Sequence, residues 1–96
     1  MRIKAKEKDG IVSVKAGLKH PMLSYDQAKK KGEEANFIVY ILGKVGDDIV
    51  YEASTSQFLS KNPFIKFKFK GKAGEELELS WVDLKGNKKS KKVKIK

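Results

Sequence analysis

A chain of 96 residues is one domain's worth, and a domain of that size buries roughly 60 to 65% of the surface its unfolded form exposes, so a single modest core over residues 1–96 is expected. With 40% hydrophobic residues and 2 prolines against 35% charged residues it is too apolar and too patterned to stay disordered, and the absence of cysteine excludes disulfides, thiolate nucleophiles, thiolate metal sites and covalent carrier chemistry on its own sulfur. The net charge of +10 invites nucleic acid or anionic membrane as partner, yet Arg2 is the only arginine, and base-edge and bidentate phosphate recognition favour arginine's planar fork over lysine.

Hydrophobic periodicity along the chain is two. Ile3 and Ala5 alternate with Arg2, Lys4 and Lys6, Asp9-Gly10 makes a turn, and Val12 and Val14 alternate with Ser13 and Lys15, which predicts two tightly joined strands. Residues 23–35, LSYDQAKKKGEEA, read as a long polar loop with room for one helical turn around residues 27–31, and a loop of this length hints at function. Residues 36–44, NFIVYILGK, form an almost continuous apolar run of the kind a fully covered strand shows, and residues 49–53 after the Gly46-Asp47-Asp48 turn predict a short fourth strand.

Residues 64–70 predict a fifth strand with Ile65, Phe67 and Phe69 on one face and Lys66, Lys68 and Lys70 on the other. Leu77, Leu79, Trp81 and Asp83 alternate with Glu76, Glu78, Ser80 and Val82 in a sixth. After the Lys85-Gly86-Asn87 turn, Val93 and Ile95 alternate with lysines in a seventh. Seven short strands without a long amphipathic helix predict an all-β protein, an immunoglobulin or fibronectin-like antiparallel β-sandwich. Sandwich order places the loops around His20-Pro21-Met22, Ser60-Lys61-Asn62-Pro63 and residues 83–88 at one pole.

Chemistry is sparse. The lone His20 leaves no His pair for zinc or non-haem iron, and no Ser, Thr or Asp lies at a spacing that identifies a catalytic partner for it. The bland reading is a strand ended by Pro21, with His20 bonded to local backbone and Met22 packed under the long loop; the alternative is a partner contact. In the stretch SKNPFIKFKFKG, nucleic-acid binding would need aromatic faces on the surface that carries the cations, and the alternation separates them. Its lysines read as a solvated face or as an electrostatic contact with an acidic protein. The adjacent carboxylates Glu33-Glu34, Asp47-Asp48 and Glu75-Glu76 sit in turns and balance lysines. No apolar run approaches the ~20 residues of a membrane helix and no hydrophobic signal region follows Met1, so the chain is expected in the cytosol or as a mature or co-exported subunit.

An ordered set of short stretches carries a resemblance: Ile3-Lys4-Ala5-Lys6, Lys19-His20-Pro21-Met22, Asn36-Phe37-Ile38, Ser60-Lys61-Asn62-Pro63-Phe64, Phe67-Lys68-Phe69-Lys70-Gly71 with Ala73-Gly74, and Trp81-Val82-Asp83 with Lys85-Gly86. Together they resemble the SoxZ family, the small subunit of the SoxYZ carrier of bacterial thiosulfate oxidation. The resemblance implies a non-catalytic subunit without cofactor, in a heterodimer with a SoxY-type partner whose C-terminal cysteine carries the sulfur. It also implies transient contact with other Sox enzymes and a periplasmic location reached by co-export with that partner, with no nucleic acid and no membrane. On this reading the expected partner surfaces are the exposed side of the third and fourth strands, with Phe37, Val39, Tyr40, Ile41 and Tyr51, and a pole near the carrier's arm with His20, Pro21, Met22, Asn62, Pro63 and Phe64. The alternative is a basic β-sandwich that binds a polyanion or an acidic protein.

Overall fold

Period-two alternation sets the first hairpin. In the computed structural model, which describes residues 1–56 and 61–96, β1 (Arg2–Lys8) and β2 (Ile11–Gly17) pair antiparallel with Lys8 opposite Ile11. Asp9 and Gly10 between them both take positive φ, 54° and 82°, the two-residue turn whose twist matches that of the strands it joins. The other edge of β2 pairs with β5 (Phe64–Lys70), completing a three-stranded sheet in the order β1-β2-β5. Ala5, Val12, Val14 and Ala16 face inward and the lysines outward.

The second sheet has four strands in the order β4-β3-β6-β7, from β3 (Ile38–Val45), β4 (Asp48–Ser54), β6 (Glu76–Asp83) and β7 (Lys88–Lys94). Every pairing among the described residues is antiparallel, and the two sheets stack as the sandwich that the alternation predicted. Here β4 pairs with β3, whereas the constant immunoglobulin arrangement places the fourth strand beside the first, second and fifth.

The core is built mainly from alternate residues of β2, β3 and β6. Towards one end Ala16, Leu18, Met22, Ile38, Ile41, Leu79 and Trp81 pack together, and towards the other Ala5, Val12, Val14, Leu77 and Ile95; Phe67 packs against both groups. Gly43 makes room between the sheets: a Cβ there would stand 3.2 Å from Cβ of Tyr51, whose ring stacks on Phe67 at 4.2 Å between centroids. Ile95 was expected inside the seventh strand, but β7 ends at Lys94. Ile95 bonds through its backbone to Gly74 and Glu75, and Lys96 bonds to Ala5 and Glu7, so the tail crosses to β1 and drives the Ile95 side chain into the cleft between the sheets.

Two further expectations are corrected. The single helical turn is a seven-residue helix, α1 (Tyr25–Lys31), because both its ends are capped: Ser24 and Gln27 form a reciprocal capping box and Gly32 closes the C-terminus with φ 68°. Asp26 in the first turn and Lys29 to Lys31 in the last complement the helix dipole. The third strand begins at Ile38, since Asn36 instead forms an isolated bridge with Leu23. A register shift between Ile38 and Tyr40 breaks its alternation, so Phe37 and Ile41, expected on an exposed side, are buried in the core. Tyr51 turns inward to Phe67, and Val39 packs against the core from its margin. Ser60, part of the expected contact loop, lies outside the described residues.

The burial pattern predicts that Leu79→Ala, at a position with 0% exposure, destabilises the fold by about 2 to 5 kcal/mol in urea denaturation. Ile49→Ala, at 58% exposure, changes it by less than about 0.5 kcal/mol.

Candidate functional site

His20 ends the segment that leaves β2, and its position is fixed from both sides of the sandwich. Leu18 donates its N–H to the carbonyl of Pro63 at 2.8 Å, His20 donates its N–H to Oδ1 of Asn62 at 3.0 Å, and Asn62 returns its own N–H to the His20 carbonyl at 2.9 Å. Asn62 makes this exchange from φ 52°, a left-handed conformation that asparagine tolerates better than most residues. Met22, at φ 48°, folds the chain back so that its N–H donates to His20 Nδ1 at 3.0 Å, and its sulfur accepts the Ile38 N–H at 3.3 Å.

With Nδ1 accepting, His20 is the tautomer protonated at Nε2, and that N–H donates to Asp83 Oδ2 at 3.0 Å. Asp83 is the last residue of β6, at an inward register position, and is 3% exposed. Its Oδ2 also accepts from Nδ2 of Asn36 at 3.0 Å and Nδ2 of Asn87 at 3.1 Å, and its Oδ1 accepts the Asn87 N–H at 2.8 Å. Burial alone would raise the carboxyl's pKa, but the bonds from His20, Asn87 and Asn36 outweigh it and lower it to about 2. Trp81, two residues upstream on the same inward face, meets the imidazole edge to face at 5.0 Å.

Two more bonds from main-chain N–H groups sew the β6–β7 turn to the start of β3: Leu84 N–H to the Phe37 carbonyl at 2.9 Å and Lys85 N–H to the side-chain Oδ1 of Asn36 at 3.3 Å. The loops expected at one pole therefore do meet there, through His20, Asn62 and Asp83. Both ring nitrogens of His20 are engaged, Nδ1 by the Met22 N–H and Nε2 by Asp83. The knot fixes loops.

What the knot presents outward is apolar. Tyr25 at 56%, Phe64 at 60% and Leu84 at 45% exposure are three of the five exposed large hydrophobic side chains among the described residues, and each lies within three residues of Met22, Asn62 or Asp83. Pro21 is exposed beside them, whereas His20, Met22, Phe37 and Pro63 are buried supports. Tyr25 meets Phe37 edge to face at 5.6 Å, and the Lys66 ammonium sits 5.8 Å from the Phe64 ring centre. Of the residues expected on the third and fourth strands, Tyr40 alone faces outward from the sheet, joined by its hydroxyl to Glu52. That bond pushes the phenol's pKa up.

Sequence reasoning missed Asp83, Asn36 and Asn87 as His20's supporting set. The available signal was Asp83 itself, a carboxylate at an inward position of an alternating strand, which has to find buried donors.

The sign of the pH dependence follows from Asp83. Its folded pKa of about 2 lies below the carboxyl's ordinary value of 3.8, so the stability it contributes is complete above about pH 4 and is lost as pH falls towards 2. Urea denaturation across that range should show a loss on the order of 2 kcal/mol. Asp83→Asn, which sets an amide N–H among donors, should cost about 2 to 4 kcal/mol at neutral pH and flatten that acid slope. An unchanged slope in the variant counts against Asp83 as its source.

Residues 1–94 match the family described as "Sulphur oxidation protein SoxZ", a span that includes every residue of the pole. A comparison with curated proteins found no match. The family ties the chain to sulfur oxidation, and three of the ordered stretches that resembled it in the sequence, HPM, NP and W-x-D, supply residues of the bonded pole. The chain belongs to the SoxZ family of sulfur oxidation proteins.

Proposed function

We propose that this chain is the non-catalytic subunit of a heterodimeric carrier in thiosulfate oxidation, and that its partner is a SoxY-type protein whose C-terminal cysteine bears the sulfur intermediates. The observation that carries the reading is the pole: a hydrogen-bonded polar knot beside which Tyr25 at the start of α1, Phe64 at the start of β5 and Leu84 in the β6–β7 turn are exposed. Fixed apolar side chains over a rigid support favour binding, because little conformational freedom remains to be lost. A chain of a sulfur-oxidation family that has no cysteine cannot hold the sulfur on its own thiol, so the covalent step belongs to another chain.

The arm of the partner passes over this pole, and the body of the partner seats on the outer face of the four-stranded sheet. There Tyr40 and Leu42 of β3 stand opposite Val82 and Ser80 of β6, half-buried, with Ile49 exposed on β4. This face replaces the wider set first expected on the third and fourth strands. A stable heterodimer needs roughly 800 Å² from each partner, more than three side chains supply, and the sheet face extends the contact beyond the pole. The complex works in the periplasm, where this chain travels bound to its partner.

Co-expression with a SoxY-type subunit should give a complex that survives gel filtration. Leu42→Asp should weaken it by about tenfold or more, whereas Phe64→Ser with Leu84→Ser should leave the heterodimer intact and slow sulfur turnover on the partner's cysteine. Failure to form any heterodimer, or wild-type affinity in Leu42→Asp, would overturn the assignment.

A further inference from the structure

The outer face of the three-stranded sheet has a composition that solvation does not explain. Every second residue of β1 from Arg2 to Lys8 is cationic and points outward, and so do Lys15 of β2 and Lys66, Lys68 and Lys70 of β5. The register sets these side by side. Lys4 lies opposite Lys15 and Lys15 opposite Lys66, three cations abreast; Lys6 and Lys68 flank Ser13, and Lys8 and Lys70 flank Ile11. The one carboxylate in these strands, Glu7, has the opposite parity, opposite the buried Val12. Like charges directly opposite each other destabilise a sheet.

The other outer face of the same molecule is mixed. Glu78 stands between Lys44 and Lys92, Glu76 lies opposite Lys94 and 3.9 Å from the Lys92 ammonium, and Glu52 lies opposite Leu42. Lysine is therefore paired with carboxylate on one sheet and left in single-sign rows on the other. Such rows focus a positive field over a flat surface.

We infer that the outer face of the β1-β2-β5 sheet is a second docking surface, separate from the pole, and that it takes an acidic protein surface. Strand geometry spaces these cations about 6.6 Å apart along a strand and about 4.8 Å between strands. Carboxylates three or four residues apart on a helix, or two apart on a strand, repeat at about 6 to 7 Å and fit that lattice. Nucleic acid is the poorer fit, since the rings of Phe67 and Phe69 face inward, Phe64 is the one outward ring of β5 and stands at its end, and Arg2 is the single guanidinium. An anionic bilayer is also poorer, because stable membrane attachment adds an apolar anchor and the face offers only two separated side chains at opposite ends of the sheet, Ile11 at 39% exposure and Phe64 at 60%. Hydrated lysines on an open face raise the rate of encounter more than the lifetime of a complex, so the contact is transient and salt-sensitive.

The test uses the full chain and a fluorescein-labelled polyglutamate of about 20 residues, with binding read by anisotropy at about 20 mM NaCl. Two variants of equal charge are compared, one neutralised on this face (Lys4→Gln, Lys15→Gln, Lys66→Gln, Lys68→Gln) and one on the other (Lys44→Gln, Lys88→Gln, Lys92→Gln, Lys94→Gln). The face variant should lose about tenfold in affinity and the control less than about twofold, with the melting temperature of the face variant equal to or above wild type. Duplex DNA and vesicles with about 30% phosphatidylserine, run in parallel, should respond to net charge alone and weaken alike in both variants. Equal losses for polyglutamate in the two variants, or a face preference as large for DNA or vesicles as for polyglutamate, would overturn the inference.

Discussion

A carboxylate only 3% exposed is held ionised by four hydrogen bonds from His20, Asn36 and Asn87, and these three residues belong to stretches that the sandwich itself does not pair. A buried charge is tolerated only when its lone pairs are satisfied, and once satisfied such a network tends to specify one arrangement. Here the arrangement is that of three connections at once: the segment after β2, the start of β3, and the turn between β6 and β7. The helix α1 hangs from the same knot, with the Leu23–Asn36 bridge closing its loop and Met22 and Phe37 packing beneath. Without Asp83 the strands would still alternate, but the His20 side chain would lose its link to the turn between β6 and β7.

The strands were legible because each has one face on a core, and alternation reports that directly: Val12 and Val14, or Leu77, Leu79 and Trp81, are buried as their spacing implied. The third strand was misread for a physical reason. Its almost continuous apolar run carries no alternation to tell one face from the other, and its register shifts between Ile38 and Tyr40 and again between Gly43 and Lys44, so Phe37 and Ile41 were expected on a surface they do not reach. Tyr51 was misplaced because its contact, Phe67, comes from the opposite sheet. The His20–Asp83 pair spans 63 residues, and no local spacing encodes a contact of that range. The capped helix was half visible, as S-x-x-Q followed by lysines and glycine is a helix written in seven residues.

Basicity divides the two sheets more sharply than composition does. A net charge of +10 looks diffuse in the sequence, yet the register concentrates it on one outer face and neutralises much of it on the other. Phe64 stands where the pole meets the cationic face, with Lys66 across its ring. The proposed carrier contact and the inferred acidic docking surface are therefore neighbours with different physics, one short-ranged and apolar, the other long-ranged and screened by salt.

Tyr25, Phe64 and Leu84 stand on the Asp83 knot without supplying any of its hydrogen bonds through their side chains. Variation at Phe64 and Leu84 removes none of those bonds, so a lineage can exchange one apolar surface for another while the buried network is kept. Partner choice in such a molecule is free to drift while its architecture stays fixed, and a change of specificity need not wait for compensating change in the core.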